Sequence, residues 1–434
     1  MAKDVHPARG MRDFLPADKA HRDAVMAQIV SSYTRHGFTA IETPVMEDIS
    51  RLTSGQGGDN EKLAFRVMRR GLSAEQLRAA ADAEDASSLS DLGLRYDLTV
   101  PLSRFYASHA AELPSVFRSI QTAPVWRAER PQKGRYRQFV QCDIDIIGEP
   151  SALAEVELLA ASADTFRTLG VEGVEFRVND RRILLGLLAG FGFAPESWPS
   201  VLISIDKLDK IGVDGVVAEL ESFATCGGHT ESATRGLRAF LEDVTAADVP
   251  RLSLAAVQAL VGDRIAGEDA HAGVANLGVI ADALRGIGVP LVFDPTLVRG
   301  MGYYTGTIFE ASHPSSASSV GGGGRYDGMV GRFLGRDVPA CGFSIGFERI
   351  IDLVPAQEAH GDGVVLVFEK DTPVERILSV KQEFVASGRR VRLERHPKRL
   401  GPVLDALAGL GFTQFGMLHD ASRAQDVELR PIAS

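Results

Sequence analysis

Apolar positions along the chain recur at two periods, one typical of helices and one typical of strands. Residues 17–37 and 151–170 carry apolar side chains at helical spacing. Between them, residues 116–129 and 137–148 follow the two-residue period of strands. Several strand candidates follow one another without an intervening helix. This order favours an antiparallel or mixed sheet, and an α+β fold, over a doubly wound parallel sheet.

The same patterns predict shorter elements in the first part of the chain. Residues 72–91 predict a short helix and a solvated loop, and residues 313–324, rich in Ser and Gly, predict a loop. The further strand candidates lie at residues 38–44, 92–100, 173–178, 305–312 and 341–347.

Changes of pattern along the chain predict three domains. We expect a sheet domain of residues 1–195 and 290–355, interrupted by a helical insertion at residues 196–289. A short α/β domain, residues 363–434, follows with the element order βαβαβ.

Composition excludes several classes of protein. The 434 residues are 45% hydrophobic and 24% charged, and no window approaches the ~20 apolar residues of a membrane span. The N-terminus lacks the apolar stretch of a secretory signal, so we expect a cytoplasmic protein with no membrane partner. Three distant cysteines provide neither a disulfide framework nor a CxxC metal site. A net charge of −10 argues against a general polyanion binder but leaves room for a local basic patch.

The most informative segment is a basic hairpin, residues 125–148. The P-loop, GxGxxG and HExxH motifs are missing, so nucleotide chemistry needs another architecture. In the hairpin, two strand-like runs flank a polar turn, which suits a polyphosphate or the end of a nucleic acid. On charge alone, a solvated hairpin is an equal alternative. Near the turn one acid, Glu129, is outnumbered by the cations Arg127, Arg130, Lys133, Arg135 and Arg137.

The hairpin resembles motif 2 of the class II aminoacyl-tRNA synthetases, in the form of the histidyl branch. Four other segments resemble family motifs in the required order, which makes the set far more specific than any one alone. They are motif 1, the amino-acid pocket strand, the segment peculiar to histidyl enzymes, and motif 3, at residues 37–48, 92–105, 297–310 and 342–350. Residues 202–212 resemble the start of the histidyl insertion domain.

The resemblance implies a class II catalytic domain that uses ATP to activate L-histidine as histidyl-adenylate, releases pyrophosphate and transfers histidine to tRNA(His). In this family pattern, Arg127 holds the α-phosphate and the substrate carboxylate, and Arg299 approaches from the opposite side. Both are implied as catalytic residues. Mg²⁺ is expected with the pyrophosphate oxygens, with no ligands assigned. The remaining ATP contacts would be Glu129, Arg135 and Arg349, and the tRNA acceptor end would face Gln132, Lys133 and Arg137.

The same resemblance implies a histidine site assembled from three motifs. Acids and hydroxyls suit the imidazole and the α-amino group, whereas Lys or Arg near the ring would repel its protonated form. Two tyrosines are expected beside the imidazole, and the polar residues of the other motifs at the amino group. The implied residues are Asp97, Leu98, Thr99, Arg127, Gln141, Asp145, Arg299, Tyr303 and Tyr304. Glycines within residues 321–330 would let the backbone approach the ligand, or would form a flexible turn.

Two features depart from the family pattern. Gly302 stands where an acid is usual beside the two tyrosines, so pocket geometry or amino-acid choice could differ. The C-terminal domain resembles the family's anticodon-binding domain only in outline. Its basic run, residues 389–400, could contact tRNA phosphates or serve as a charged edge strand. Strand alternation predicts that Val391 and Leu393 share one face of this run and Arg392 and Glu394 the other.

These departures leave two alternatives to a synthetase function. One is a paralogue that adenylates histidine or a similar amino acid without charging tRNA. The other is a non-catalytic regulatory subunit of ATP phosphoribosyltransferase, a relative that usually lacks the C-terminal domain and the full set of ATP-binding arginines. This chain keeps that set, which argues against the second alternative. The resemblance to motif 1, with Pro44 at its turn, implies a homodimer.

Overall fold

The computed structural model describes residues 5–53, 58–131, 134–224, 231–246, 253–299, 304–355, 363–419 and 423–432. The chain forms two compact units, Met1–Arg12 with Met26–Val354, and Asp13–Val25 with Pro355–Ser434. None of the described helices is long and apolar enough to cross a membrane.

The first unit contains a large sheet, a small sheet and the helices that cover them; helix α1 runs from one unit into the other. The strands are β1 (Thr39–Ala40), β2 (Met46–Asp48), β3 (Arg66–Met68), β4 (Ser90–Leu94), β5 (Phe117–Trp126), β6 (Gln138–Ile147), β7 (Glu175–Asp180), β8 (Leu291–Phe293), β9 (Thr307–Ser312), β10 (Gly321–Arg325) and β11 (Ala340–Gly346). The helices are α1 (Pro16–Arg35), α2 (Ile49–Leu52), α3 (Ala74–Asp82), α4 (Thr99–His109), α5 (Leu153–Thr168), α6 (Arg181–Phe191), α7 (Trp198–Ile205), α8 (Leu208–Ala224), α9 (Glu231–Ala246), α10 (Leu254–Val261), α11 (Glu268–Arg285), α12 (Asp327–Leu334) and α13 (Phe347–Ile350).

The large sheet has the strand order β1-β5-β6-β11-β10-β9-β7-β8. Its central pairs are antiparallel, and the pairs at the two edges, β1 with β5 and β7 with β8, are parallel. The predicted mixed sheet is therefore confirmed. Strand β6 shows why the sequence alternates: Cys142, Ile144 and Ile146 are fully buried on the face that packs against α5. The residues between them belong to the opposite face.

Three local predictions were wrong. Residues 321–324, predicted as loop, form the buried strand β10 between β9 and β11. The predicted strand at residues 92–100 ends at Leu94, and α4 begins at Thr99. The strand predicted at residues 38–44 is reduced to Thr39–Ala40. In each case tertiary neighbours, rather than local propensity, decide the conformation.

The described part of residues 198–285 is mainly helical and contains α7 to α11, as its periodicity predicted. Helix α8 is kinked at Gly212, where φ is 67° and ψ is 177°. This segment belongs to the first unit, so the boundaries of a separate insertion domain stay a prediction.

The second unit carries a four-stranded sheet of order β13-β12-β14-β15. Its elements are β12 (Gly363–Phe368), α14 (Val374–Ala386), β13 (Val391–Arg395), α15 (Gly401–Ala408), β14 (Phe412–Met417) and β15 (Leu429–Pro431). The predicted βαβαβ order is present, and β15 adds an antiparallel edge. As alternation predicted, Val391 and Leu393 pack on the core, while Arg392 pairs with Glu394.

Candidate active site

The first unit holds a cavity of about 840 Å³ above its central strands. Gln141, Asp143 and Asp145 point from β6 into this cavity because strand side chains alternate between faces. On the neighbouring strand, β11, the residues paired with these three are Gly346, Ser344 and Gly342. Strand β10 continues the surface with glycines, so side chains from β6 lie over a floor made largely of backbone.

The floor glycines are required because functional side chains lie directly on them. A Cβ at Gly342 would lie 2.1 Å from Oδ1 of Asp145. A Cβ at Gly322 would lie 2.6 Å from Cζ of Arg299, and one at Gly324 would lie 2.9 Å from Cδ1 of Tyr304. Glycine in a strand often marks such a close approach. The run predicted as a loop is therefore a closely packed part of the site.

One end of the cavity is acidic. Asp145 is 3% exposed, and its Oδ1 accepts a 2.7 Å hydrogen bond from the Tyr326 hydroxyl. The side-chain amide of Gln141 donates to Asp143 at 3.2 Å and to Ser344 Oγ at 3.2 Å. Among the described residues, neither Oδ2 of Asp145 nor Oε1 of Gln141, both buried, has a hydrogen-bond partner. Two buried acceptors aimed into one cavity suit a ligand that brings N–H donors.

Burial also changes the ionisation of these acids. Burial, together with the neighbouring charge of Asp97, raises the pKa of Asp143 to about 7. Burial, followed by the charge of Asp143, raises the pKa of Asp145 well above its usual range. A cationic group among these carboxylates would favour their ionised forms. This end of the cavity therefore suits an ammonium group.

Asp97 and Thr99 reach the cavity from the start of α4. Oδ1 of Asp97 accepts a 3.1 Å hydrogen bond from the backbone N–H of Val100, which fixes the carboxylate at the beginning of the helix. Leu98 lies between them with its side chain fully buried, outside the set that lines the cavity. Its carbonyl oxygen accepts a 3.3 Å hydrogen bond from Gln121, so the segment is held from the core side.

The other end of the cavity is lined by arginines. Arg349, from α13, donates from Nη1 to the carbonyl oxygen of Ser319 at 2.5 Å. Burial lowers its pKa, and the positive charges of Arg299 and Arg135 lower it further. Like charges held this close create a positive potential. Such a site suits a polyanion, which would relieve the repulsion.

The other arginines are oriented by partners at the cavity wall. Arg299 forms an ion pair with Glu310. Arg135 lies 3.6 Å from Glu129, measured between Nη1 and Oε2. Arg127 donates from Nε to the carbonyl oxygen of Tyr96 at 2.9 Å. Its guanidinium carbon is 5.0 Å from the centre of the Phe139 ring. These contacts hold the side chains in place before any ligand binds.

Most of the residues singled out in the sequence come together here. Arg137 lies outside the lining set, and its Nε donates to the carbonyl oxygen of Glu129 at 3.0 Å. Gln132, Lys133, Gly302 and Tyr303 lie outside the described residues. The residues that line the cavity are Asp97, Thr99, Arg127, Glu129, Arg135, Gln141, Asp145, Arg299, Tyr304 and Arg349.

The cavity also contains residues that sequence reasoning missed. Asp143 could have been found, because it lies between Gln141 and Asp145 on the same face of a predicted strand. Glu348 immediately precedes Arg349 and lines the same wall. Ile203 and Asp206, by contrast, come from the helical segment. No pattern in the sequence indicated that this segment would reach the site.

Metal-ligand side chains are sparse. The described residues contain no group of three or more His, Cys, Asp or Glu side chains that could hold a metal ion. A magnesium ion bound to a nucleotide takes most of its ligands from phosphate and water and needs only one or two carboxylates. Glu129 and Glu348 line the cavity and are of the right chemical type.

Comparisons with known proteins agree with this geometry. Residues 10–350 match the family model for histidyl-tRNA synthetase. The chain is similar to a histidine–tRNA ligase of Leifsonia xyli, with 56% identity over 100% of this chain and 99% of that protein. It is also similar to a probable histidine–tRNA ligase of Tropheryma whipplei, with 44% identity over 90% of each chain.

A solved structure gives the same result at the level of the fold. The histidyl-tRNA synthetase of a Nostoc species is 26% identical, with a TM-score of 0.74 over 99% of this chain and 95% of that one. This supports the α+β class II synthetase architecture expected from the sequence. The chain belongs to the histidyl-tRNA synthetase family.

Proposed function

We propose that the chain is a histidine–tRNA ligase, which activates L-histidine with ATP and transfers it to tRNA(His). Identity of 56% over the full chain with a histidine–tRNA ligase supports this activity. The observation that carries the chemistry is the division of one cavity into an acidic end and an arginine-lined end. An amino acid and a nucleotide bound end to end would place a carboxylate against the α-phosphate. Neither the paralogue nor the regulatory-subunit alternative is favoured.

In the first step, a carboxylate oxygen of histidine attacks the α-phosphorus of ATP. The bond from that phosphorus to the oxygen bridging to the β-phosphate breaks, and pyrophosphate leaves. Negative charge builds on the phosphoryl oxygens, so cations fixed beforehand lower the barrier. Arg127 and Arg299 would serve there from opposite walls. In the second step, a ribose hydroxyl at the 3′ end of tRNA attacks the activated carbonyl carbon, and AMP leaves.

The ATP would lie along the arginine-lined end. Arg349 and Arg135 would contact the nucleotide, and the mutual repulsion of these cations supports a phosphate-binding role. Glu129 would complete the contacts. Mg²⁺ would enter with ATP and neutralise charge on the pyrophosphate, with Glu129 or Glu348 as an additional ligand.

The histidine would lie at the acidic end. Its α-ammonium group would donate to the free acceptors of Asp145 and Gln141, with Asp97 and Thr99 alongside. Tyr304 lines this end, and burial raises its pKa to about 12, so it stays protonated and can donate a hydrogen bond to the imidazole. A site that hydrogen-bonds its ligand rejects analogues without those groups, by ~10⁴-fold or more.

Further parts of the proposal rest on more general arguments. Gln132, Lys133 and Arg137 of the basic hairpin would face the acceptor end of tRNA. The C-terminal unit would contribute tRNA contacts through its basic run.

A homodimer is supported by the exposed apolar side chains of Val45, Met46 and Met68, near the motif 1 segment. We infer a cytoplasmic location, where tRNA charging takes place.

The test is transfer of labelled histidine onto total bacterial tRNA, with ATP and magnesium. Charging confined to histidine acceptors would support the proposal. Histidine-dependent pyrophosphate exchange without charging would refute the tRNA step and leave the adenylation step standing. Loss of both activities in folded protein would refute the proposal. Glutamine or phenylalanine in place of histidine is the specificity control.

A further inference from the structure

The N-terminal segment, residues 8–12, packs against the base of the basic hairpin. The segment turns through a hydrogen bond of 2.9 Å from the Met11 N–H to the Ala8 carbonyl oxygen. The N–H of Arg137 donates to the Gly10 carbonyl oxygen at 2.8 Å. Gly10 has a φ of +82°, and a Cβ there would lie 2.8 Å from Cγ of Pro131. A side chain at this position would be strained and would require Pro131 or Arg137 to move.

Arg12, at the end of this segment, contacts two residues of the cavity wall. Its guanidinium forms an ion pair with Glu348, whose side chain is 7% exposed. The guanidinium carbon lies 3.4 Å from the centre of the Tyr136 ring. Glu348 and Tyr136 both line the cavity. Oε1 of Glu348 also accepts a 3.2 Å hydrogen bond from the backbone N–H of Val140.

These contacts place Arg12 between the two elements that carry the ATP-end arginines. Tyr136 follows Arg135 in the basic hairpin, and Glu348 precedes Arg349 in α13. A planar guanidinium can stack on an aromatic ring and pair with a carboxylate at the same time. One side chain therefore fixes the hairpin and α13 relative to each other.

We propose that Arg12 is a positioning residue for ATP binding. It holds Tyr136 and Glu348, and through them the neighbouring arginines Arg135 and Arg349, at the distance that the nucleotide requires. The inference rests on the proposed function, because it assumes that ATP occupies the arginine-lined end. The two contacts of Arg12 lie beside Arg135 and Arg349, at the arginine-lined end, so histidine binding should not depend on Arg12.

The experiment measures histidine-dependent pyrophosphate exchange by the full chain while ATP and histidine are varied in turn. For Arg12→Ala, the KM for ATP should rise about tenfold, equivalent to about 1.4 kcal/mol. The KM for histidine and the melting temperature should be unchanged. Arg12→Lys keeps the charge but loses the planar stack, so it should recover part of the ATP affinity. Arg9→Ala, an exposed arginine of the same segment, is the matched control and should behave as wild type.

Two results would overturn the inference. One is an unchanged KM for ATP in Arg12→Ala; the other is a parallel change in both KM values, which would indicate a general structural role. Should Arg12→Ala unfold, Arg12→Gln takes its place in the same comparison. If the wild-type chain shows no histidine-dependent exchange at all, the proposed function itself fails. Normal wild-type exchange with an unaffected Arg12 variant refutes the positioning role alone.

Discussion

Replacing Gly322 with alanine should displace the guanidinium of Arg299 and leave the stability of the fold almost unchanged. The added Cβ would lie 2.6 Å from Cζ of Arg299, whereas carbon atoms in contact are ~3.5–4.0 Å apart. The guanidinium ends a flexible side chain and can move, so it should shift by about 1 Å. The Arg299–Glu310 pair is partly exposed, at 30% and 24%, and its disturbance should cost under ~1 kcal/mol. Stability should therefore change little.

Activity should change much more. A misplacement of about 1 Å at a reacting centre can cost ~10²-fold in rate, equivalent to about 2.7 kcal/mol of transition-state stabilisation. We expect kcat for histidine-dependent pyrophosphate exchange to fall by about that factor. Gly328→Ala is the matched control, because the nearest atom to its Cβ is 4.0 Å away. A well-folded Gly322→Ala protein with wild-type kcat would refute the role given to Arg299. An unfolded one would refute the argument that the guanidinium relieves the contact.

Three further outcomes are expected. In pyrophosphate exchange, Asp145→Asn should raise the KM for histidine at least tenfold and leave the KM for ATP unchanged, because the α-ammonium group of histidine loses a charged partner. An equal rise in both KM values would contradict this. Burial raises the pKa of Asp143 from 3.8 to about 7. Between pH 3.8 and about 7 the folded state therefore binds more protons than the unfolded state, and it loses stability as the pH rises through that range. Asp143→Asn should therefore raise the melting temperature at pH 8 and give no gain below pH 3.8; a gain independent of pH would be contrary to this reasoning. Glu155→Gln should lower the free energy of unfolding in urea by about 3–5 kcal/mol, since it leaves the buried guanidinium of Arg325 with only the partly exposed carboxylate of Asp327. A loss under ~1 kcal/mol would show that the pair with Glu155 is screened like a surface pair.

The sequence predicted those parts of the site that depend on alternation within one strand. The residues of β6 face the cavity at every second position, so their shared face follows from the two-residue period. Asp143 belongs to that row, and its position followed from the period even though the family resemblance did not name it. The helices of residues 198–285 were equally predictable, because their apolar spacing is regular.

Other features depend on tertiary contacts that no local pattern records. Glycine has low strand propensity, so residues 321–324 were predicted as a loop. They form a strand because β9 and β11 pair with them on both sides and because side chains lie on their backbone. Asp206 reaches the cavity from the position directly after helix α7, far from β6 along the chain. Its part in the wall depends on how the chain packs, which sequence spacing does not encode.

The glycine floor has a consequence for inhibitors of this site. A flat ring placed on β10 and β11 would contact peptide groups rather than side chains, and no point substitution removes a peptide group. A substitution that covered the floor would have to introduce a Cβ. At Gly342 that atom would lie 2.1 Å from Asp145, and at Gly323 it would lie 1.9 Å from a backbone carbonyl oxygen. A substitution of a floor glycine that prevented inhibitor binding would therefore also disable the enzyme.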